Sequence, residues 1–99
     1  MVSSSLDVAF AKAYSRRMGA AVSRLDRYRE RVREQWNTLT PVQKRTIEKL
    51  LLRGKSLSVP EEVRRVTARA LVRKGLCMTY ATGEYAVDGP YVSLTINAE

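Results

Sequence analysis

The chain has 99 residues, of which 44% are hydrophobic and 28% charged, enough for one compact domain and too apolar for a disordered or collagen-like segment. It carries a formal charge of +8, no histidine and one cysteine, Cys77, which excludes an intrachain disulfide, a Ser-His or Cys-His nucleophile pair and an ordinary zinc site. A non-enzymatic protein without metal or cofactor is expected, and with neither a long apolar run nor a signal-like start at Met1 to Ser5, it is expected in the cytoplasm without membrane insertion.

From Ser4, paired with Asp7 in a capping-box pattern, the chain reads as one long helix reaching about Asn37, free of proline and bent at most near its single glycine, Gly19. Its apolar positions recur in a 4-3 rhythm, Ala11, Tyr14, Met18, Ala21, Leu25, Tyr28, Val32 and, past the polar Gln35, Leu39. About thirty helical residues span roughly 45 Å, more than so small a core needs. Tyr14, Met18, Ala21, Leu25, Tyr28 and Val32 are therefore candidate dimerisation residues, with equal weight for a helix that lies across its own domain. Trp36 reads as a core anchor.

Thr40, Pro41 and Gln43 form a capping box with proline at the first helical position, so a second helix begins there. Ile47, Leu50 and Leu51 give it an apolar face, and Gly54 is its left-handed terminator. Lys55 to Val59 is too short for another helix. Ser58 and Glu61 then frame Pro60 as a further cap, predicting a third helix that starts at once, turns Val63, Val66 or Thr67, Ala70 and Leu71 inward, and ends at Gly75. From Leu76 the period changes to 2, giving short strands around Leu76–Tyr80, Tyr85–Val87 and Val92–Ile96, with turns at Thr82-Gly83 and Asp88-Gly89-Pro90. Cys77 reads as a small buried hydrophobe. The fold class expected is mainly α with a small antiparallel β-hairpin (α+β), a long helix over 1–38 preceding a domain over 39–99.

Charge follows these elements. Residues 1–39 carry eight Lys or Arg against four acids, 40–76 ten against three, and 77–99 none against three. A basic surface of this kind attracts polyanions, nucleic acid first and an acidic protein next.

The run Thr67-Ala68-Arg69-Ala70-Leu71-Val72-Arg73-Lys74-Gly75-Leu76, with Tyr91-Val92-Ser93-Leu94-Thr95 after it, resembles the winged helix-turn-helix DNA-binding domains over roughly Leu39 to Thr95. The resemblance implies a winged helix-turn-helix preceded by a long helix, and a protein that places the helix of about residues 60–74 in the major groove of double-stranded DNA, as a small transcriptional regulator does. Carried onto this sequence, Arg64, Arg65, Ala68 and Arg69 face the bases, Arg73 and Lys74 the backbone, while Lys44, Arg45 and Lys49 flank the groove and the helix start at Thr40 offers amides to a phosphate. Two features depart from the family: only two helices lie between Leu39 and the strands, leaving the N-terminal helix to act as the third, and the wing carries Glu84 and Asp88 with no Lys or Arg.

Competing expectations remain beside this one. The exposed arginines can be paired on their own helix, Arg65 with Glu61 or Glu62. The scaffold can serve as a phage or mobile-element module that binds an acidic host protein. The N-terminal helix can lie on an anionic membrane surface. Tyr80, Tyr85 and Tyr91 can stack on bases or simply pack.

Overall fold

The structure, a computed structural model, describes residues 5–16, 21–54, 56–86 and 89–97, and for Ser5, Ala21, 81–86 and 89–91 the backbone alone. In chain order it comprises α1 (Ser5–Arg16), α2 (Ala21–Gln35), a 3-10 turn (Trp36–Thr38), α3 (Pro41–Arg53), β1 (Leu57–Val59), α4 (Arg65–Arg73), β2 (Cys77–Ala86) and β3 (Gly89–Ile96). The three strands form one antiparallel sheet in the order β1-β3-β2. The fold is mainly helical α+β, and among the described residues no helix is long and apolar enough to cross a membrane.

The N-terminal segment is two helices, not one. α2 runs back along α1: Asp7 near the start of α1 reaches Arg29 at 3.2 Å and Arg33 at 3.8 Å, while Tyr14 near its end donates to Asp26. The Phe10 ring lies 6.2 Å from Tyr28 and 6.3 Å from Tyr14. Gly19, the expected bend, lies outside the described residues, as does Ser4 of the proposed cap. Folding back corrects the seam. A single continuous phase put Ala11 inside, but Ala11 is exposed, and α1 buries Leu6, Ala9, Phe10 and Ala13 against α3 and α2. The physical gain is apolar burial, since a straight helix of that length would extend beyond the core and leave apolar side chains in water.

In α2 the rhythm is right and the partner is the chain itself. Leu25, Tyr28 and Val32, expected at a dimer seam, are buried in the core with Ile47, Leu51, Leu71 and Leu76. Tyr14 packs against that same core, Met18 lies outside the described residues, and so does the side chain of Ala21. Buried residues from Leu6 to Leu94 join one cluster, so segments 1–38 and 39–99 share a core. Trp36 packs half-buried against it.

Three of the helix ends behave as their sequences dictate. Thr40 and Gln43 make both bonds of the capping box on α3, and Gly54 closes it at φ 67°. At the end of α4, Gly75 stands at φ 77°, its N–H bonds to Val72 and that of Leu76 to Leu71. This is a Schellman motif, completed by contact of two fully buried leucines at its ends. Carbonyls around this end accept from side chains of the N-terminal helices, that of Leu76 in addition to Asn97 N at 3.1 Å. Gln35 donates to Lys74 O at 3.0 Å, Arg31 to Gly75 O at 3.0 Å and also to Asn97 O, and Tyr28 to Leu76 O at 2.8 Å. Arg16 does the same for α3, donating to Leu51 O at 2.9 Å while its side chain lies over Gly54.

The segment after α3 differs most from the sequence reading. Leu57–Val59 is a strand, pairing Leu57 with Leu94 and Val59 with Val92 and burying both apolar side chains. The Val59-Pro60 peptide is cis, and Glu62 turns back so that its carboxylate accepts from Ser58 N at 3.0 Å and from Arg53 at 2.8 Å. Residues 60–63 thus form a turn, and the next helix starts at Arg65, five residues later than Pro60. The predicted Ser58–Glu61 cap is replaced by the Ser58–Glu62 bond. In the hairpin, β2 continues through Thr82-Gly83 with a register irregularity between Ala81 and Tyr85, where a turn was expected. Residues 87 and 88, with Asp88 of the second expected turn, lie outside the described residues. Cys77 is buried, and burial pushes its thiol up to about 12.

Burial likewise holds the Tyr28 phenol well above its usual value of about 10, the neighbouring Cys77 adding to the rise and Arg31 opposing it. An unfolded chain releases that proton near pH 10 and the folded one only higher. Its contribution to stability is therefore complete below about pH 10 and is lost as pH rises toward the folded value. Denaturant titrations between neutral pH and pH 11 should show wild-type stability falling more steeply than that of Tyr28→Phe. At neutral pH, Tyr28→Phe should itself cost about 0.5–1.5 kcal/mol, the net worth of one hydrogen bond, because Leu76 O keeps Asn97 N–H as a second donor; a cost near zero would mean that the Tyr28 bond adds nothing to stability.

Candidate functional site

α4 is a nine-residue helix whose two faces differ sharply. At 100° per residue, Thr67, Ala68 and Leu71 fall together and are buried, while Arg65, Val66, Arg69 and Arg73 fall on the opposite side and are exposed. This phase corrects one expectation and decides another. Ala68, read as facing DNA, is only 3% exposed and belongs to the core cluster. Of Val66 and Thr67, offered as alternatives for one inward position, Thr67 is buried and Val66 is 80% exposed. The error follows from the late helix start: with the helix begun at Pro60 the interior was centred on the wrong residues.

From Arg64 to Lys74 the sequence holds five cations, Arg64, Arg65, Arg69, Arg73 and Lys74, and no acid. Arg64, Arg65, Arg69 and Arg73 are all exposed, and among the described residues none of them makes an ion pair. The pairing of Arg65 with Glu61 or Glu62 is not formed. Glu62 is held instead by Ser58 N and Arg53, which together keep its carboxyl below the usual range, the backbone bond contributing most. The turn before α4 thereby directs one of its two acids toward α3. Arg64 is the N-cap and makes no side-chain capping bond, so the first amides of α4 have no side-chain acceptor from that position. Lys74, half-buried at the other end, reaches Thr38 Oγ1 at 3.3 Å.

The arginines border two depressions. Arg65 and Arg69 rim a groove of about 500 Å³ floored by Val59, Ala68, Val72, Thr79 and Val92, between α4 and the sheet. Arg69, Arg73 and Lys74 border the second, with Val66 and Ala70. The predicted flanking residues of α3 stand apart from this. Arg45 and Lys49 are exposed, but line a different groove with Arg53, Glu62 and Val63. Lys44 is half-buried with its ammonium 5.3 Å from the centre of the Trp36 ring. Thr40 is exposed but its hydroxyl already accepts from Gln43 N at 3.2 Å, so the α3 start is capped from within. No known protein family, curated protein or solved structure matches the chain.

The side chains of Glu84, Tyr85 and Tyr91 lie outside the described residues. Tyr80 is 48% exposed on β2 and its hydroxyl meets that of Ser56 at 2.6 Å. Sequence reasoning missed Val66 as a surface residue and Arg53 as the partner of Glu62. The signal for the second was the strand propensity of Leu57-Ser58-Val59, which brings Glu62 back over α3. Thr40→Ala should lower stability by about 1 kcal/mol in denaturant titration, the usual cost of losing such a cap. A loss near zero would show that the Gln43 amide has another acceptor.

Proposed function

We propose that this protein binds double-stranded DNA with α4 in the major groove, in the manner of a small transcriptional regulator. The observation that carries the reading is the exposed, acid-free face of α4, on which Arg65, Arg69 and Arg73 recur one turn apart without an ion pair among the described residues. A helix of nine residues is about 13 Å long and, with side chains, about 10–12 Å wide, and the major groove is about 12 Å wide. The succession α3, β1, α4, β2, β3 with sheet order β1-β3-β2 agrees with the resemblance to winged helix-turn-helix domains and supports the same docking.

In this reading Arg65 and Arg69 reach base edges, where a guanidinium fork suits guanine O6 and N7. Arg64 stands at the start of α4 without making a side-chain cap, where its charge suits a phosphate, and Arg73 suits the opposite strand's backbone. Arg45 and Lys49 add long-range attraction from α3. The hairpin contributes no cation to the complex. With Leu25, Tyr28 and Val32 inside the core, a DNA-bound pair of molecules would not meet through that seam.

One feature favours an acidic protein surface as the alternative partner: the apolar floor of the groove beside Arg65 and Arg69, formed by Val59, Val72 and Val92. Recovery of one stoichiometric protein from nuclease-treated lysate, together with absent duplex binding, would favour that partner.

Anisotropy titrations against duplex DNA should show affinity falling steeply and linearly with log salt as counterions are released. Arg65→Ala or Arg69→Ala should weaken the preferred site by about 1–3 kcal/mol, while Arg73→Ala should weaken all duplexes alike and reduce the salt slope by about one. Weak, sequence-blind binding by the wild type at moderate salt would defeat the reading of a specific regulator.

A further inference from the structure

Val66 is an isolated aliphatic side chain in the middle of a cationic surface. It is the most exposed large hydrophobic residue among those described, at 80%, and it stands in the first turn of α4. Arg65 precedes it, Arg69 lies one turn on, and Arg73 two turns on along the same face. It borders the depression formed with Arg69, Ala70, Arg73 and Lys74, and it makes no contribution to the core cluster. Helix propensity does not account for it either, because a β-branched residue is less favourable than alanine at an exposed helical position.

The chemistry of the major groove gives such a residue a task. Among the groups displayed there, the only apolar one is the C5-methyl of a pyrimidine, carried by thymine and absent from uracil and cytosine. An aliphatic side chain carried between two arginines is brought against base edges by the same docking that places their guanidinium groups. The methyl and the isopropyl group then leave water together. We propose that Val66 is a specificity-determining residue that reads the C5-methyl group of a pyrimidine, thymine or 5-methylcytosine, in the major groove. The inference rests on the DNA-binding reading and adds to it a preference that charge cannot supply, since arginines grip phosphate and guanine irrespective of a neighbouring methyl.

The test uses the full chain and short duplexes that differ only in that methyl: alternating dA·dT against dA·dU, and alternating dG·dC against the same duplex with 5-methylcytosine. Wild-type protein is expected to bind the methylated member of at least one pair about fourfold more tightly for each methyl buried, the factor that burying one such group confers. In Val66→Ala the preference should fall toward unity, with folding stability unchanged or slightly higher and the salt slope unchanged. Arg69→Ala should weaken both members of each pair and keep their ratio. A preference for dA·dT over dA·dU alone assigns thymine as the source of the methyl, and a preference within the dG·dC pair assigns 5-methylcytosine. Equal binding of methylated and unmethylated duplexes by the wild type, or a preference that survives in Val66→Ala, overturns the role of Val66 while leaving DNA binding in place. Absence of binding to every duplex at low salt overturns both.

Discussion

The position of α4 depends on three hydrogen bonds made by one face of α2. Tyr28, Arg31 and Gln35 stand at i, i+3 and i+7 and donate to the consecutive carbonyls of Leu76, Gly75 and Lys74, the first of which also accepts from Asn97 N. Arg31 also lies over the Tyr28 ring, 5.4 Å from its centre, and its second donor reaches Asn97. The junction between α4 and β2 is therefore tied to α2 on one side and to the end of β3 on the other. Val32 and Leu25 continue the same face into the core. Were this face turned toward a second molecule, Lys74 O and Gly75 O would lose these side-chain donors and Leu76 O would keep only the N–H of Asn97.

The cations of this chain divide by what they touch. Arg16 and Arg31 satisfy backbone carbonyls, Arg29 and Arg33 meet Asp7, Arg53 holds Glu62, and Lys44 covers Trp36. Each has a structural partner in the chain. The α4 arginines have none among the described residues, although nothing in composition or in net charge separates them from the others. A formal charge of +8 therefore overstates the surface that is free to attract a polyanion, and α4 with Arg64 carries four exposed arginines of what remains, beside others such as Arg45 and Lys49 on α3.

Much of this was legible in the sequence, and the pattern of what was not is physical. Thr40 with Gln43, Gly54 and Gly75 read correctly because their chemistry is local and needs only their own turn, whereas the Ser58–Glu61 cap failed because Ser58 is drawn into a strand. Leu25, Tyr28 and Val32 were recognisable as an apolar row, but a row does not say whether its partner lies in the same chain, and the fold-back of α1 on α2 supplied that partner. The polar Gln35 within that row was the visible sign that it faced a carbonyl. The site suffered from a boundary error of the same origin. Leu57–Val59 is a strand only because Leu94 and Val92 lie beside it, a contact between residues far apart in sequence. Once those three residues pair, Pro60 to Val63 must turn, α4 starts late, and Ala68 and Val66 exchange places between core and surface. Arg65 and Arg69 kept their exposure because they lie near the boundary-independent outer side of either helix.

The α4 surface is one the fold maintains against its own electrostatics. Arg65, Arg69 and Arg73 are like charges at i,i+4 spacing, each pair unfavourable by a few tenths of a kcal/mol, and Arg64 and Arg65 stand at the positive end of the helix dipole, where acids are preferred. No acid within the helix offsets this, and Glu62, the nearest that could, is held away by Ser58 and Arg53. Solvent keeps the cost to about 1–2 kcal/mol in all. The opposite end of the helix compensates, with the Schellman motif, the contact of Leu71 with Leu76 and the three donors from α2. A helix anchored at its C-terminus and left uncapped and electropositive at its N-terminus gains from any polyanion that meets it. The residues that anchor it and the residues it presents are different sets, so the surface can vary without loosening the fold.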